Sequence, residues 1–301
     1  MPEETKRKKK WGDRRDGRLV KMPGLQTVMT ALMPHRADCE VFLMDTIDVT
    51  DLLDLIDKKN AQDPSVKRTI FHAIIAMSAR MVRERPYLNR FVQGARIYER
   101  YDISISFVAK RRFEDHAEEA LLFFVPKDTD TLDDVSRMVT GTVAETRKSE
   151  HATGGVDELL DVFAAMPRLL MMFLIRIIRT LDFFGVNPKF ITDGDPNYST
   201  ILMSNLGSIR CPAVYHHLNN YGTNSIMMTI GTIREEERRM EDGQKKLRRV
   251  LDLGVTIDER IGDGFYFAKS LKLLHYMCAH PELLDRPIGE PSGFEYEQRL
   301  S

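Results

Sequence analysis

The sequence has few cysteines, no apolar run long enough to span a bilayer and almost no net charge. Three cysteines (Cys39, Cys211 and Cys278) stand without C-x-x-C spacing among 301 residues, which argues against a disulfide framework and against a structural zinc site. The net charge is -1, so the whole molecule has no electrostatic preference for nucleic acid. We therefore expect no metal and no nucleic-acid partner, and a reducing cytoplasm is the expected setting.

The N-terminus lacks the apolar core of a secretory signal peptide. Residues 1–21 contain nine lysines and arginines and four acidic residues. This composition predicts a solvated basic arm over residues 1–24. An alternative is that the arm contacts an acidic partner or an anionic lipid surface.

An unusually apolar helical segment lies at residues 166–184. Its longest stretch without charge, Leu169 to Ile175, is too short for a bilayer, which needs about 20 residues. In helical projection, Arg168, Arg176 and Arg179 form one narrow stripe in an otherwise apolar surface. We predict burial against the domain or a partner subunit, with peripheral membrane contact through 1–21 and 166–184 as the alternative.

Strands and helices alternate along most of the chain. Apolar alternation predicts strands at 41–49, 91–99 (a hairpin), 103–108, 120–125, 198–203, 225–230 and 247–257. Helical spacing predicts helices at 50–60, 64–85, 131–148, 156–165 and 264–278. Without a Gly/Pro/Ser linker between them, these elements favour one α/β domain at 25–284, which includes an apolar helical segment at 156–186, and a loose C-terminal tail at 285–301.

Three segments occur in an order that points to a known family. Val41 to Asn60 contains D-V-T-x-L at a helix start, Ser204 to Gly207 is S-N-L-G, and Asp258 to Gly264 is D-E-R-I-G-D-G. Together they resemble the catalytic domain of dihydrolipoamide acyltransferases, the core subunits of 2-oxoacid dehydrogenase complexes, over roughly residues 25–284. The resemblance implies the chloramphenicol acetyltransferase-like α/β fold, a two-layer mixed sheet with packed helices.

The same resemblance implies a homotrimer with active sites between subunits and coenzyme A thioester as co-substrate. In such domains a histidine is the general base, and a serine or threonine hydroxyl donates to the oxyanion. The chain shows no lipoyl domain, so no covalently attached lipoyl group is expected. Free acyl-coenzyme A is the expected acyl donor.

Carried over by position, Ser204 is the expected oxyanion donor. Asp263 and Gly264 match the structural D-G of the third motif, whose aspartate pairs with an arginine in the family, here with Arg36 as the candidate. Asp258 and Arg260 match their motif neighbours, and Asn205 and Gly207 of the second motif are candidate cofactor-binding residues.

Glu259 occupies the position of the family's catalytic histidine. A free glutamate has a pKa near 4.3 and a thiol near 8.5, so an exposed glutamate is a weak base for a thiol. His216 and His217 of a neighbouring subunit are candidate alternative bases. Three functions stay open: an acyltransferase that uses Glu259 or another base, a catalytically silent relative with a structural or regulatory role, and a membrane-surface assembly factor.

Overall fold

The computed structural model describes residues 10–110, 119–148, 163, 165–188, 192–239 and 243–296. The strands in these ranges are β1 (Gly17–Leu19), β2 (Glu40–Asp48), β3 (Arg90–Gln93), β4 (Arg96–Arg100), β5 (Ile105–Lys110), β6 (Glu119–Phe124), β7 (Ile201–Asn205), β8 (Ile226–Arg239) and β9 (Lys245–Asp258). The α-helices are α1 (Gly24–Leu32), α2 (Thr50–Gln62), α3 (Ile70–Glu84), α4 (Leu132–Lys148), α5 (Arg168–Phe183) and α6 (Gly264–Ala279). Short 3-10 helices lie at Arg36–Asp38, Pro86–Asn89, Pro196–Tyr198, Leu206–Ile209, Glu259–Ile261 and Pro281–Asp285.

The main sheet has six strands in the order β2-β9-β8-β7-β5-β6. β7 runs parallel to both β5 and β8, and the other pairs are antiparallel. Successive side chains of a strand point to opposite faces, so the buried Ile201 and Met203 face the core while Leu202 and Ser204 face the other side. The predicted fold class, a mixed α/β domain with a sheet and packed helices, is confirmed.

Helices α2, α3, α4 and α6 share a hydrophobic core with one face of this sheet. α3 is central, because eleven consecutive residues from His72 to Val82 are buried. It begins at Ile70, where the Thr69 side chain accepts a hydrogen bond from the His72 N–H. The predicted start at Pro64 is therefore wrong. Asp63 Oδ1 accepts a hydrogen bond from the Ser65 N–H, and this contact forms a turn at Pro64.

A second, three-stranded antiparallel sheet has the order β1-β4-β3. The buried guanidinium of Arg100 joins it to the main sheet by donating to the carbonyl oxygens of Tyr198 at 2.7 Å, Ser199 at 3.0 Å and Thr223 at 2.6 Å. Five N–H donors in a rigid plane suit arginine to bridging several carbonyl groups. This contact fixes the small sheet beside the loops that precede β7 and β8.

The described parts of the basic arm and of the C-terminal tail pack against the domain, whereas the sequence predicted a solvated arm and a loose tail. In the basic arm, β1 adds a strand to the small sheet, and the buried Arg14 pairs with Asp182 at 2.9 Å. In the predicted loose tail, carbonyl groups of residues 283–290 accept hydrogen bonds from the buried Arg80. The tail continues onto α3, where Glu84 accepts from Ser292 and Tyr296. Residues 1–9 and 297–301 lie outside the described ranges, as does most of the predicted helix 156–165.

The apolar helix α5 is mostly exposed in the single chain. Leu169 is 81% exposed and Phe173 is 61% exposed, whereas only Asp182 at the C-terminal end is buried. Within the described residues, the domain itself holds the last turn of this helix, through Arg14 and through close contact of Phe183 with Gly94. Of the two predicted burial partners, the helix's own domain therefore leaves most of the apolar surface uncovered, and burial against a partner subunit stays a prediction. Among the described residues, no helix combines the length and hydropathy that crossing a bilayer requires.

The buried imidazole of His72 predicts a pH-dependent loss of stability. Burial lowers its pKa to about 4, so between about pH 6.5 and pH 4 the unfolded chain binds a proton that the folded chain does not. The free energy of unfolding therefore falls as the pH decreases through this window. In urea unfolding we expect a loss of up to about 3 kcal/mol by pH 4 from this residue. The variant His72→Gln should lack this part of the pH dependence, and identical slopes for both proteins would contradict the assignment.

Candidate active site

A buried ion pair shapes the loop of residues 258–264, here called the Glu259 loop. Arg260 donates from Nε to Asp258 Oδ1 at 2.8 Å and from Nη2 to Oδ2 at 2.6 Å. Its third nitrogen donates to the Met33 carbonyl oxygen at 2.6 Å, just beyond α1. Burial opposes the charge of Arg260, but the Asp258 carboxylate outweighs it and raises the pKa of the guanidinium. The bidentate pair therefore holds the loop in one conformation.

Glu259 lies between these two buried residues and is exposed. Its N–H donates to the Cys39 carbonyl oxygen at 2.9 Å, which continues the pairing of β9 with β2. Within the part of the chain that the structure describes, its carboxylate makes no hydrogen bond and no ion pair. Glu259 is thus fixed at the backbone and free at the side chain, so it can contact a ligand or a second subunit.

Asp263 and Gly264 start helix α6. Asp263 Oδ1 accepts a hydrogen bond from the Tyr266 N–H at 2.7 Å, which makes it an N-cap. The candidate arginine partner does not reach it, because Arg36 donates to the carbonyl oxygens of Val92 and Asn219 instead. A side chain at Gly264 would meet no atom within 4 Å. In this chain the D-G pair therefore holds the loop by capping a helix.

Ser204 lies near the end of β7 on the sheet face opposite the helices. It is half-buried, and its hydroxyl group has no hydrogen bond among the described residues. The next residues shape the turn that follows: Asn205 Oδ1 accepts from the Ser208 N–H at 3.3 Å, and a side chain at Gly207 would overlap the Gly231 carbonyl oxygen. Asn205 and Gly207, predicted to bind a cofactor, have these structural roles in the single chain.

The strand register separates Ser204 from Glu259. Ser204 pairs with Thr229 on β8, and Thr229 pairs with Gly254 on β9. Glu259 follows Gly254 by five residues along β9 and beyond its end, which at about 3.3 Å per residue is roughly 16 Å toward the opposite end of the sheet. The proposed oxyanion donor and the proposed base therefore do not meet within one protomer.

An extended segment of residues 211–218, here called the strap, crosses this face of the sheet. Val214 exchanges hydrogen bonds with the Thr229 side chain, and Tyr215 packs against Phe42 with ring centroids 5.5 Å apart. Side chains at Gly231 or Gly254 would overlap the strap backbone. Glycine at both positions is what allows a backbone to lie this close to the sheet.

The strap ends near the Glu259 loop and carries His216 and His217. The Leu218 N–H donates to the Glu40 carboxylate, and Glu40 pairs with Asp258 across β2 and β9. Both histidines are exposed, and their rings stack with centroids 4.8 Å apart. The structure therefore places the histidine pair at the same end of the sheet as Glu259 and away from Ser204.

Cysteine and metal chemistry find little support in the described part of the chain. All three cysteines are free thiols, and burial raises the pKa of Cys39 to about 11 and that of Cys278 to about 12. Both buried thiols are protonated at neutral pH and are poor nucleophiles. Across the described residues, no group of three or more His, Cys, Asp and Glu side chains is arranged to hold a metal ion.

Sequence reasoning treated Asp258 and Arg260 only as neighbours in a motif. The structure shows that they form the ion pair of the loop and that Arg260 also fixes the end of α1. The only signal in the sequence was their spacing of two residues around Glu259 at the end of a strand. Because Glu259–Ile261 is a 3-10 helix and does not continue the strand, this spacing alone does not show that the two side chains meet.

No protein-family model matches the chain, and no curated protein matches its sequence. Among solved structures, the chain is similar to a probable dihydrolipoamide acetyltransferase from Listeria monocytogenes, with 15% identity, a TM-score of 0.56, and coverage of 92% of this chain and 97% of that one. Dihydrolipoamide acetyltransferase from Azotobacter vinelandii gives 14% identity, a TM-score of 0.58, and coverage of 89% and 94%.

A truncated catalytic core of the 2-oxoacid dehydrogenase multienzyme complex from Thermoplasma acidophilum is also similar, with 17% identity and a TM-score of 0.53 over 87% of this chain and 98% of that one. At these identities the likeness shows the fold. The chain has the fold of dihydrolipoamide acetyltransferase catalytic domains, as its three motifs predicted, and it spans nearly the whole length of each of these neighbours.

The strap predicts that Gly254→Ala destabilises the protein. The added methyl group overlaps the Val214 carbonyl oxygen, so either the strap moves or its bonds to Thr229 break. We expect the free energy of unfolding to fall by about 1–3 kcal/mol, measured by urea denaturation. The control Gly141→Ala, in the middle of α4 with no atom within 4 Å of the new methyl group, should gain up to about 1 kcal/mol. Equal stability of Gly254→Ala and the wild type would show that the strap does not need this glycine.

Proposed function

We propose that the protein is an acyltransferase that acts as a homotrimer and transfers an acyl group from a coenzyme A thioester. In this proposal, Glu259 of one protomer and Ser204 of the next border a shared site. One observation carries it: both side chains are free in the protomer yet lie at opposite ends of one sheet. A site that contains both groups therefore requires two copies, and cyclic symmetry repeats that contact three times in a closed trimer.

The proposed reaction assigns one role to each side chain. The hydroxyl or thiol of the acceptor attacks the thioester carbonyl carbon, and Glu259 takes the proton from the acceptor. Ser204 donates its hydroxyl hydrogen to the oxyanion of the tetrahedral intermediate. When the intermediate collapses, the carbon–sulfur bond breaks, and the leaving coenzyme A thiolate receives the proton from Glu259.

A carboxylate needs an enclosed setting for this role. Glu259 is exposed in the single chain, and water stabilises its negative charge there. Enclosure by a neighbouring protomer strengthens a carboxylate as a base because the charged form loses that stabilisation. Oligomerisation thus both completes the site and activates its base. Since all three cysteines are unpaired, a reducing cytoplasm remains the proposed setting.

A catalytically silent relative is the second candidate. The Azotobacter vinelandii structure was used to examine the role of a serine, a histidine and an asparagine in the catalytic mechanism of that enzyme. If Ser204, Glu259 and Asp263 stand at the corresponding places, only the serine is retained. This pattern favours a protein that keeps the fold to bind a partner or to build an assembly.

Mixed oligomers distinguish a site shared between subunits from one within a subunit. Ser204→Ala and Glu259→Gln should each lower the rate of thiol release from acetyl- or decanoyl-coenzyme A about 10²–10⁴-fold, because each removes one catalytic group. After the two variants are unfolded together and refolded, about a quarter of the interfaces in a trimer carry both native residues. We therefore expect the mixture to recover about a quarter of the wild-type rate.

The control is Glu282→Gln, an exposed glutamate near the end of α6, which should keep the wild-type rate alone and in mixtures. A mixture that is no more active than its separate components, while light scattering shows trimers, would rule out the shared site.

Replacement of Glu259 by histidine tests the silent alternative. If Glu259 is the working base, Glu259→Gln should lower the rate and Glu259→His should keep measurable transfer, because histidine is a good base near pH 7. If the protein is silent, Glu259→Gln should change nothing, and activity should appear only with Glu259→His. The measurement is thiol release from acyl-coenzyme A with thiol and hydroxyl acceptors over pH 6 to 9.

A further inference from the structure

A cleft of about 1010 Å³ separates helix α5 from the body of the domain. Its floor is formed by the end of α1, the 3-10 helix at Arg36–Asp38 and the turn between β3 and β4. α5 is its outer wall. Among the described residues, α5 is fixed at its C-terminal end, where the Asp182 carbonyl oxygen accepts a hydrogen bond from Arg14 at 2.7 Å. The cleft is wide enough for a ligand of moderate size.

Positive charge dominates the lining. Four arginines face the cleft, Arg36 and Arg260 from the floor and Arg176 and Arg179 from α5. Among the described lining residues, Asp182 is the one acid, and it already accepts from Arg14 at 2.9 Å and from Gln93 at 2.7 Å. Arg260 is paired with Asp258, but Arg176 and Arg179 have no partner in the part of the chain that the structure describes.

Arg36 is a buried cation that forms no salt bridge with a described residue. It is 4% exposed. In the described part of the chain its guanidinium donates to three oxygens, all neutral, of Val92 at 3.1 Å, Asn219 at 3.4 Å and Gln93 at 3.4 Å. Its Nε has no hydrogen-bond partner. Burial lowers the pKa of Arg36 to about 10, so the group is still charged at neutral pH. The carboxylates of Asp258 and Asp182 favour the charged form of Arg36, but burial outweighs them. A buried charge without a direct ion pair is costly, and an anion bound in the cleft would reduce that cost.

The wall opposite Arg36 is apolar. Met172, Phe173, Ile175 and Phe183 of α5 line the same cleft, and all four side chains are 39–61% exposed in the single chain. These apolar side chains and the guanidinium groups of Arg176 and Arg179 lie on the same helix and line the same cleft. A ligand that matches both surfaces carries an anionic group and a hydrocarbon chain, because neither part alone covers the lining.

We propose that this cleft binds a single-chain amphiphile with one anionic head group, a phosphate or a carboxylate. The head group lies among Arg36, Arg176 and Arg179, and the hydrocarbon chain lies along Met172 and Phe173. A bilayer surface does not match the lining as well, because lipids held in a bilayer cannot reach a guanidinium that is 4% exposed at the floor. The inference is independent of the proposed acyl transfer, since it uses neither Glu259 nor Ser204.

Calorimetric titration with dodecyl phosphate below its critical micelle concentration tests the proposal. The wild type should bind about one molecule per chain. The double variant Arg176→Gln/Arg179→Gln should bind at least tenfold more weakly, because two charge-assisted contacts to the head group are lost. The matched control Arg210→Gln/Arg239→Gln removes two exposed arginines outside the cleft and should bind as the wild type does.

Titration with other compounds tests whether the anionic head group and the hydrocarbon chain are each needed for binding. Dodecanoate should also bind, whereas inorganic phosphate and dodecyltrimethylammonium should bind at least tenfold more weakly, because each lacks one of the two features. The variant Phe173→Asn should weaken dodecyl phosphate more than butyl phosphate.

Three results would overturn the proposal. One is equal affinity of the wild type and Arg176→Gln/Arg179→Gln. Another is binding to phosphatidylglycerol vesicles but not to the monomeric amphiphile, which would assign α5 to a membrane surface. The last is absence of binding together with crosslinks from α5 to a second copy, which would show that a subunit fills the cleft.

Discussion

The buried pair of Asp258 and Arg260 is the interaction on which the arrangement of the candidate site depends. Both charges are removed from water, so each needs the other, and loss of one partner would leave an uncompensated buried charge. The pair links the end of β9 to the end of α1 through the Met33 carbonyl oxygen. With these two side chains held inside, the residue between them is directed to the surface.

Local patterns were sufficient to predict most elements of this fold. The alternation in β5, β7 and β9, the helical spacing of α3 and the D-G start of α6 each depend on residues close together in sequence. Where a prediction failed locally, a competing side-chain hydrogen bond explains it. α3 begins at Ile70 because the Thr69 side chain accepts a hydrogen bond from the His72 N–H, whereas the Asp63 carboxylate accepts from the Ser65 N–H in a turn.

The parts that sequence reasoning missed depend on residues far apart in the chain. Arg14 and Asp182 are separated by 168 residues, and their contact brings the basic arm into the fold and anchors α5. Arg80 gathers carbonyl groups from the C-terminal segment in the same way. Composition predicted a solvated arm from its charges and a loose tail from its prolines and glycines, and neither signal depends on a distant partner. The apolar character of α5 predicted burial against the domain or a partner subunit, and the sequence alone could not say which of the two surfaces covers it.

Neighbouring residues of the Glu259 loop belong to two different surfaces. Arg260 lines the α5 cleft, and Glu259 is exposed on the other side. A ligand in the cleft would approach Arg260, which already divides its hydrogen bonds between Asp258 and Met33. The loop is also held by the hydrogen bond from the Glu259 N–H to the Cys39 carbonyl oxygen and by Asp263, which caps α6. The same ion pair thus places a buried guanidinium in the lining of the cleft and fixes the loop that carries Glu259.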